Sequence, residues 1–323
     1  MEFRYSEIVI PHLYQTHGLA NGIPLRRHRN SSNEMKGALR AQNDWHKHVM
    51  PIENYHGGLG EDFSFIRVTV PECLPERLEI ISYANEYAFL YDDVMEKLHP
   101  EKQSFATRDI LETFERNILD RRVDARTRPE KRLQAQILSE MMGIDPERAI
   151  VTMKAWATFV QLASRARSAP IKTLAEYIPA RVIDAGELIW FGTLTFGMAL
   201  TIPEDEYRQC MELARPGYIV LGLTNDVYSW EKERAAAEKA GQDHVFNAVW
   251  VVMKERSVGE AEAKQICRDE IGHYLRAFCS VVDNTNKDCS LSKDTRAYIE
   301  AVKWSCSGNL VWSIYCPRYN DWE

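Results

Sequence analysis

The stretch Asn225-Asp226-Val227-Tyr228-Ser229-Trp230-Glu231-Lys232-Glu233 constrains the fold more than any other part of the chain. Asn225, Ser229 and Glu233 recur at i, i+4 and i+8, which makes them one oxygen-bearing stripe along a helix. The approach to this stripe, Tyr218-Ile219-Val220-Leu221-Gly222-Leu223, is strongly apolar. A solvated surface helix rarely carries such an approach, so the stripe is expected inside the molecule. An amide carbonyl, a hydroxyl and one carboxylate suit a divalent cation without over-neutralising it, which leaves positive charge to attract phosphate. Lys232 adds a second cation beside the stripe.

The rest of the chain also reads as helical. Asp145-Pro146-Glu147 is a capping residue, a proline at the first helical position and a first-turn carboxylate. Ser257 and Glu260 have capping-box spacing ahead of a helix over Ala261 to Val282. Prolines 71, 75, 100, 129, 146, 179 and 203 divide the chain into pieces of helix-pair size. Alternation with period two is confined to Ile66-Arg67-Val68-Thr69-Val70, too little to build a sheet. The basic segment Asp120 to Arg132 reads as a solvated loop, because the apolar pattern resumes at Leu133, Ile137, Leu138 and Met141. The expectation is a single all-α domain over residues 1–323.

A second acidic motif, Asp92-Asp93-Val94-Met95-Glu96, ends the apolar and aromatic run from Ser82 to Tyr91. Asp92 and Glu96 share a helix face and suit magnesium, which takes one or two carboxylates and completes its shell with water and phosphate oxygens. Phe89 lies one turn before Asp92 on the same face. Alone, this motif reads equally well as a solvated helix end.

Composition excludes several classes. The formal charge is −7 over 323 residues, which disfavours a general nucleic-acid binder. The N-terminus lacks the basic and apolar regions of a signal peptide. The longest apolar run, Leu188 to Ile202, is interrupted by Gly192, Thr193, Thr195 and Gly197. It is shorter than the roughly 20 residues of a membrane span and reads as a buried helix. Seven cysteines, with no C-x-x-C pair, suit a reduced cytosolic protein with free thiols. His46 and His48 point in different directions on a helix and make a poor metal pair.

The pattern N-D-x-x-S-x-x-K-E downstream of an aspartate-rich motif resembles class I terpene cyclases. The resemblance spans nearly the whole chain and looks closest to the cyclase half of fungal bifunctional terpene synthases of the fusicoccadiene type. Phe63-Ser64-Phe65-Ile66, Val70-Pro71-Glu72-Cys73, Ile81-Ser82-Tyr83-Ala84-Asn85-Glu86 and Cys316-Pro317-Arg318-Tyr319-Asn320 carry it further. It implies a helical bundle around a central apolar cavity, with Asp92, Glu96, Asn225, Ser229 and Glu233 holding three magnesium ions. Arg181 matches the family's diphosphate-sensing arginine, Asp184 its linker, and Ala185 with Gly186 its helix-break effector. Arg318 and Tyr319 match the late pair that hydrogen-bonds diphosphate, beside Lys232. One departure is Glu96, where the family's motif ends in aspartate, which leaves open whether it meets the metal directly, through water or not at all.

Such a site ionises an isoprenyl diphosphate, and aromatic faces then stabilise the moving cation by about 0.5–2 kcal/mol each. The candidates are Phe65, Phe89, Trp190, Phe191, Trp304 and Trp312, each also readable as simple core. Trp304, Gly308 and Trp312 are expected to share a face, with the glycine making room between the rings. No residue stands out as terminal base. The expected substrate is geranylgeranyl diphosphate, with geranylfarnesyl diphosphate as the longer option, and a fused prenyltransferase domain is the expected partner. Two other readings stay open: a chain-elongating isoprenyl diphosphate synthase, which would need two aspartate-rich motifs, and a non-catalytic helical binding protein.

Overall fold

A computed structural model describes residues 2–96, 128–166 and 171–320, with the backbone alone described for Met95, Glu96 and Ser164. Among the described residues the structure is all-α apart from one short antiparallel pair of strands. Strands β1 (Ser6–Ile8) and β2 (Arg26–His28) run antiparallel, with Glu7 opposite Arg27. Glu72 ties this pair to the bundle by accepting from the backbone N–H groups of Arg4, Tyr5 and Ser6 at 2.8–3.1 Å.

The helices follow in order. They are α1 (Ser31–His48), α2 (Phe65–Thr69), α3 (Pro75–Glu96), α4 (Pro129–Ile144), α5 (Pro146–Ala166) and α6 (Leu174–Asp184). Then come α7 (Glu187–Gly197), α8 (Glu204–Lys239), α9 (Ala248–Arg256), α10 (Glu260–Thr285), α11 (Lys293–Tyr315) and α12 (Pro317–Asn320). Helix α1 packs along α3, α5 along α7, and α8 against both α10 and α11.

Local sequence accounts for most boundaries. Asp145 precedes α5 and its carboxylate accepts from Arg148 N–H at 3.2 Å. Thr173 and Glu176 form a full capping box at α6. The capping box expected at Ser257 and Glu260 does not form. Ser257 takes a left-handed conformation (φ 54°) that ends α9, and α10 starts behind Gly259. The alternating stretch is helical over 66–69 in α2, and Val70 caps it. Its hydrophobic side chains Ile66 and Val68 are both buried, and burial on all sides hides helical periodicity.

Helix α7, from the long apolar run, is buried along most of its length. Leu133, Ile137, Leu138 and Met141 of α4 are buried as their spacing predicts. Asp120 to Thr127 and Pro100 lie outside the described residues. Helix α8 contains Pro216, which removes one backbone hydrogen bond. The adjacent Gly217 lets α10 and α11 close in, since a Cβ there would overlap Phe278 and Val302. Glu34 of α1 holds α2 in place by accepting from Arg67 N–H at 2.8 Å, and burial pushes its carboxyl up to about 8. Among the described residues no helix is long and apolar enough to cross a membrane. All seven cysteines are free.

Candidate active site

Helices α6 and α8 meet where Gly222 leaves room, a Cβ there lying 3.3 Å from Arg181 Cγ and 3.5 Å from Ala185 Cβ. Arg181 uses three donors at once. Its Nε donates to Asp226 Oδ1 at 2.8 Å, Nη1 to Asp184 Oδ2 at 2.7 Å and Nη2 to Asn225 Oδ1 at 2.5 Å. Burial opposes the guanidinium charge, but Asp226, Tyr177 and Asp184 around it hold its pKa well above the ordinary value. Ala185 caps α6, donating its N–H to Arg181 O at 2.7 Å, and Gly186 turns the chain into α7 at φ 86°. That positive φ is open to glycine at little cost.

Asp226 is the centre of this polar knot. Besides Arg181 it accepts from Tyr177 Oη at 2.8 Å and from Ala248 N–H at 3.1 Å; burial raises its carboxyl above the ordinary value, and the Arg181 charge and these hydrogen bonds oppose that rise. The rest of the stripe is held as well. Ser229 Oγ donates to Glu233 Oε1 at 2.7 Å, and Asn247 Nδ2 donates to Glu233 Oε2 at 3.0 Å and to Asp226 O at 2.9 Å. Burial, then the nearby Asp226 charge, raises the Glu233 carboxyl above its ordinary value.

The aspartate-rich end of α3 reaches the same place through α12. Arg318 Nη2 donates to Asp93 Oδ1 at 2.7 Å and stands 3.6 Å from Asp92 Oδ2. The neighbouring Tyr319 Oη accepts from Asn225 Nδ2 at 2.7 Å. Lys232 Nζ closes the ring on Asp93 Oδ1 at 3.2 Å. Burial resists ionisation of Asp93, but the charges and hydrogen bonds of Arg318 and Lys232 outweigh it and hold the carboxyl below the usual range. Asp92 keeps 46% of its side chain exposed, leaving its oxygens accessible. The Glu96 side chain lies outside the described residues.

Four expected aromatic residues form one cluster beside this polar ring. Phe65 contacts Trp312 at 4.7 Å between ring centroids, Phe89 at 5.5 Å and Trp190 at 5.6 Å, while Phe89 stacks on Trp312 at 5.6 Å. The Arg318 guanidinium lies 5.0 Å over the Phe89 ring, and Tyr319 meets Trp312 edge-on, so rings and polar groups share a border. A narrow cleft lined by Ile178, Arg181, Tyr218 and Leu223 lies between α6 and α8. A long apolar chain entering between the rings would have to displace ring–ring contacts.

Two of the expected aromatic residues lie apart from this cluster. Trp304 packs edge-on against Phe3 at 5.2 Å and lies under Arg26 and Lys303, away from the cluster. Phe191 contacts Tyr207 and Tyr298 instead. Gly308 does not separate the rings of Trp304 and Trp312. It gives α11 room against the backbone of α2, where a Cβ would overlap Val68 O. Eight residues of helix rise about 12 Å, so the rings at positions 304 and 312 meet different neighbours.

Sequence reasoning assigned no role to Asp93, Asp226, Tyr177 or Asn247, all central to the geometry. Signals existed for two of them. Tyr177 and Arg181 are spaced i, i+4 and both reach Asp226; Phe89 and Asp93 are likewise spaced and share a face. Asn247 caps α9, 14 residues beyond Glu233 and past the end of α8, with no local signal for its contact to Glu233.

Residues 83–277 match terpene synthase family 2, C-terminal metal binding. The chain is 46% identical over 327 residues to fusicoccadiene synthase of Phomopsis amygdali, covering 99% of this chain and 46% of that protein. It is 45% identical to a bifunctional type I diterpene synthase of Aspergillus flavipes (100% and 42% covered). With a bifunctional sesterterpene synthase of Aspergillus aculeatus the identity is 40% (99% and 45% covered). The chain thus spans less than half the length of these relatives. Aristolochene synthase from Penicillium roqueforti shares the fold at a TM-score of 0.69 and 18% identity, over 88% of this chain and 95% of that one. Wild-type cucumene synthase does so at 0.72 and 15%, over 91% and 98%. The match covers both the α3 carboxylates and the oxygen stripe of α8, and by it the chain belongs to the terpene synthase metal-binding family.

Proposed function

We propose that this chain is a magnesium-dependent terpene cyclase that ionises a long linear isoprenyl diphosphate and closes the carbocation into a polycyclic hydrocarbon. Geranylgeranyl diphosphate is the favoured substrate, with geranylfarnesyl diphosphate next. One observation carries the reading: Arg318 and Tyr319, adjacent in sequence, join Asp93 on α3 to Asn225 on α8. Two polar motifs separated by more than a hundred residues thereby border one aromatic cluster.

The donor set is all hard oxygen, as magnesium prefers. Asp92, Asn225, Ser229 and Glu233 would hold the ions, three by the family resemblance, with Glu96 as a further candidate. Bound magnesium would neutralise the leaving diphosphate. Arg181, Lys232, Arg318 and Tyr319 would orient that anion and offset its charge. Unit charges about 4 Å apart at an effective dielectric near 20 attract by roughly 4 kcal/mol, enough for an incoming diphosphate to compete for cations that now serve Asp93 and Asn225. Asp184 fixes Arg181, and Ala185 stands at the helix break facing Gly222. Phe65, Phe89, Trp190 and Trp312 would shape the chain, shield the cation from water and stabilise it through their faces. Phe191 and Trp304 belong to the support around them.

The chain is proposed to act as one cytosolic cyclase domain, supplied by a chain-elongating domain that makes its substrate. Incubation with C15, C20 and C25 diphosphates, with and without magnesium, tests the reading by mass spectrometry of extracted hydrocarbons. Cyclic C20 or C25 hydrocarbons formed only with magnesium support it. Chain elongation on addition of isopentenyl diphosphate would identify an isoprenyl diphosphate synthase. Diphosphate binding without metal dependence or turnover would identify a binding protein.

A further inference from the structure

The loop before α2 carries a hydrogen-bond chain that none of these roles uses. Buried Glu86 of α3 accepts from Gly58 N–H at 2.9 Å through Oε2, and from Gln42 Nε2 of α1 at 2.8 Å through Oε1. The Gly58 carbonyl in turn accepts from Trp312 Nε1 at 3.0 Å and from Phe65 N–H at 2.8 Å. Two residues earlier, the His56 carbonyl accepts from Arg318 Nη1 at 3.0 Å. Close approach explains the glycine pair here. A Cβ at Gly57 would overlap the Glu86 carboxylate, and one at Gly58 would lie 3.1 Å from Phe89 Cε2 and 3.4 Å from Phe65 Cβ.

We propose that Glu86 is a positioning residue for cyclisation: through the Gly58 peptide it fixes the Phe65 backbone and the Trp312 indole, and so the shape of the aromatic wall. The proposal rests on the cyclase reading above. The Gly58 peptide, whose N–H Glu86 accepts, is the hydrogen-bonded link from this carboxylate to the rings. The two rings it governs, Phe65 and Trp312, are the tightest pair of the cluster at 4.7 Å. Competing folds of a carbocation differ little in energy, and about 1.4 kcal/mol changes their ratio tenfold. A small rotation of either ring therefore appears in the product pattern before it appears in stability.

The test uses the whole chain as wild type, Glu86→Gln, Glu86→Leu and Gln42→Leu. Each is checked for helical signal and for magnesium-dependent binding of inorganic diphosphate, then assayed with geranylgeranyl diphosphate by mass spectrometry. Glutamine can still accept from Gly58 N–H while its amide donates to a rotated Gln42, so Glu86→Gln should keep the wild-type product ratio. Glu86→Leu should shift the ratio of major to minor products about tenfold and lower kcat on the order of tenfold, with KM within about twofold. Gln42→Leu, remote from the wall, should shift the ratio the same way by a smaller factor. If folded Glu86→Leu keeps the wild-type ratio, or Glu86→Gln shifts it as far as Glu86→Leu, the proposal is wrong. Should Glu86→Leu not fold, Gln42→Leu decides: a shifted ratio supports the proposal and an unchanged one overturns it. A wild-type chain that makes no cyclic product from any diphosphate refutes the cyclase reading itself, an outcome separate from these.

Discussion

The polar end and the aromatic end of the site are built on opposite principles. Around Asp226 almost every contact is directional and saturated: Arg181 spends its donors on three acceptors, and Asp226 takes three donors in return. Around Phe65 the contacts are ring on ring, at several angles, and no single one fixes the others. A charged network in a buried place fails abruptly when one member is lost, because the partners keep their desolvation cost. A ring cluster changes by degrees. The first end is suited to holding a leaving group in one pose, and the second to accommodating a cation that changes shape.

This contrast predicts where the largest effect lies. Arg181→Leu strands the buried Asp226 carboxylate, a loss of about 3–5 kcal/mol of stability, read from denaturant unfolding. It should abolish turnover as well. A variant as stable as wild type would mean that the knot is not saturated, and the comparison between the two ends would collapse.

Next in size is the oxygen stripe. Asn225→Ala or Glu233→Ala should lower turnover by about 100-fold or more, to background in a routine assay, while the helical signal stays intact. Magnesium-dependent binding of diphosphate, followed by calorimetry, should weaken in parallel. Normal product formation by either variant would remove the metal assignment.

The same contrast explains how much could be read before the fold was known. Asn225, Ser229 and Glu233 announce themselves because the helix repeat puts them on one face, and the apolar run before them marks that face as interior. The proline and capping signals of α5 are local in the same way. The links that assemble the site are not local. Asn247 reaches Glu233 from the cap of another helix, and Glu72 reaches the N-terminal strand across the bundle. Aromatic residues are hardest of all, since apolar side chains face inward on every helix and their spacing does not say which interior they enter. Trp190 and Phe191 are neighbours in sequence, yet one ring meets Phe65 and the other meets Tyr298.

At the aromatic end, Phe89→Leu should alter the product mixture while leaving diphosphate binding within a few fold. The ring contributes about 0.5–2 kcal/mol to a passing cation, enough to redistribute products without preventing ionisation. Phe89 also underlies the Arg318 guanidinium. A large loss of diphosphate affinity would therefore show that the border between the two ends is less sharp than their bonding suggests.

Trp304→Phe should have the smallest effect. Trp304 lies two turns before Trp312 and meets Phe3 and Arg26, so its loss removes packing away from the ring cluster. Its indole N–H makes no hydrogen bond among the described residues, so phenylalanine forfeits area but no partner. Stability should fall by about 1 kcal/mol or somewhat more, as smaller rings in a packed site do. The product ratio should match wild type in the same mass-spectrometric assay that registers Phe89→Leu. Two aromatic residues, both plausible wall residues by composition, are thus separated by the neighbours they meet. A shifted ratio in Trp304→Phe would mean that α11 transmits strain along its length to Trp312. The aromatic end would then be a coupled structure like the polar one, and not a set of independent contacts.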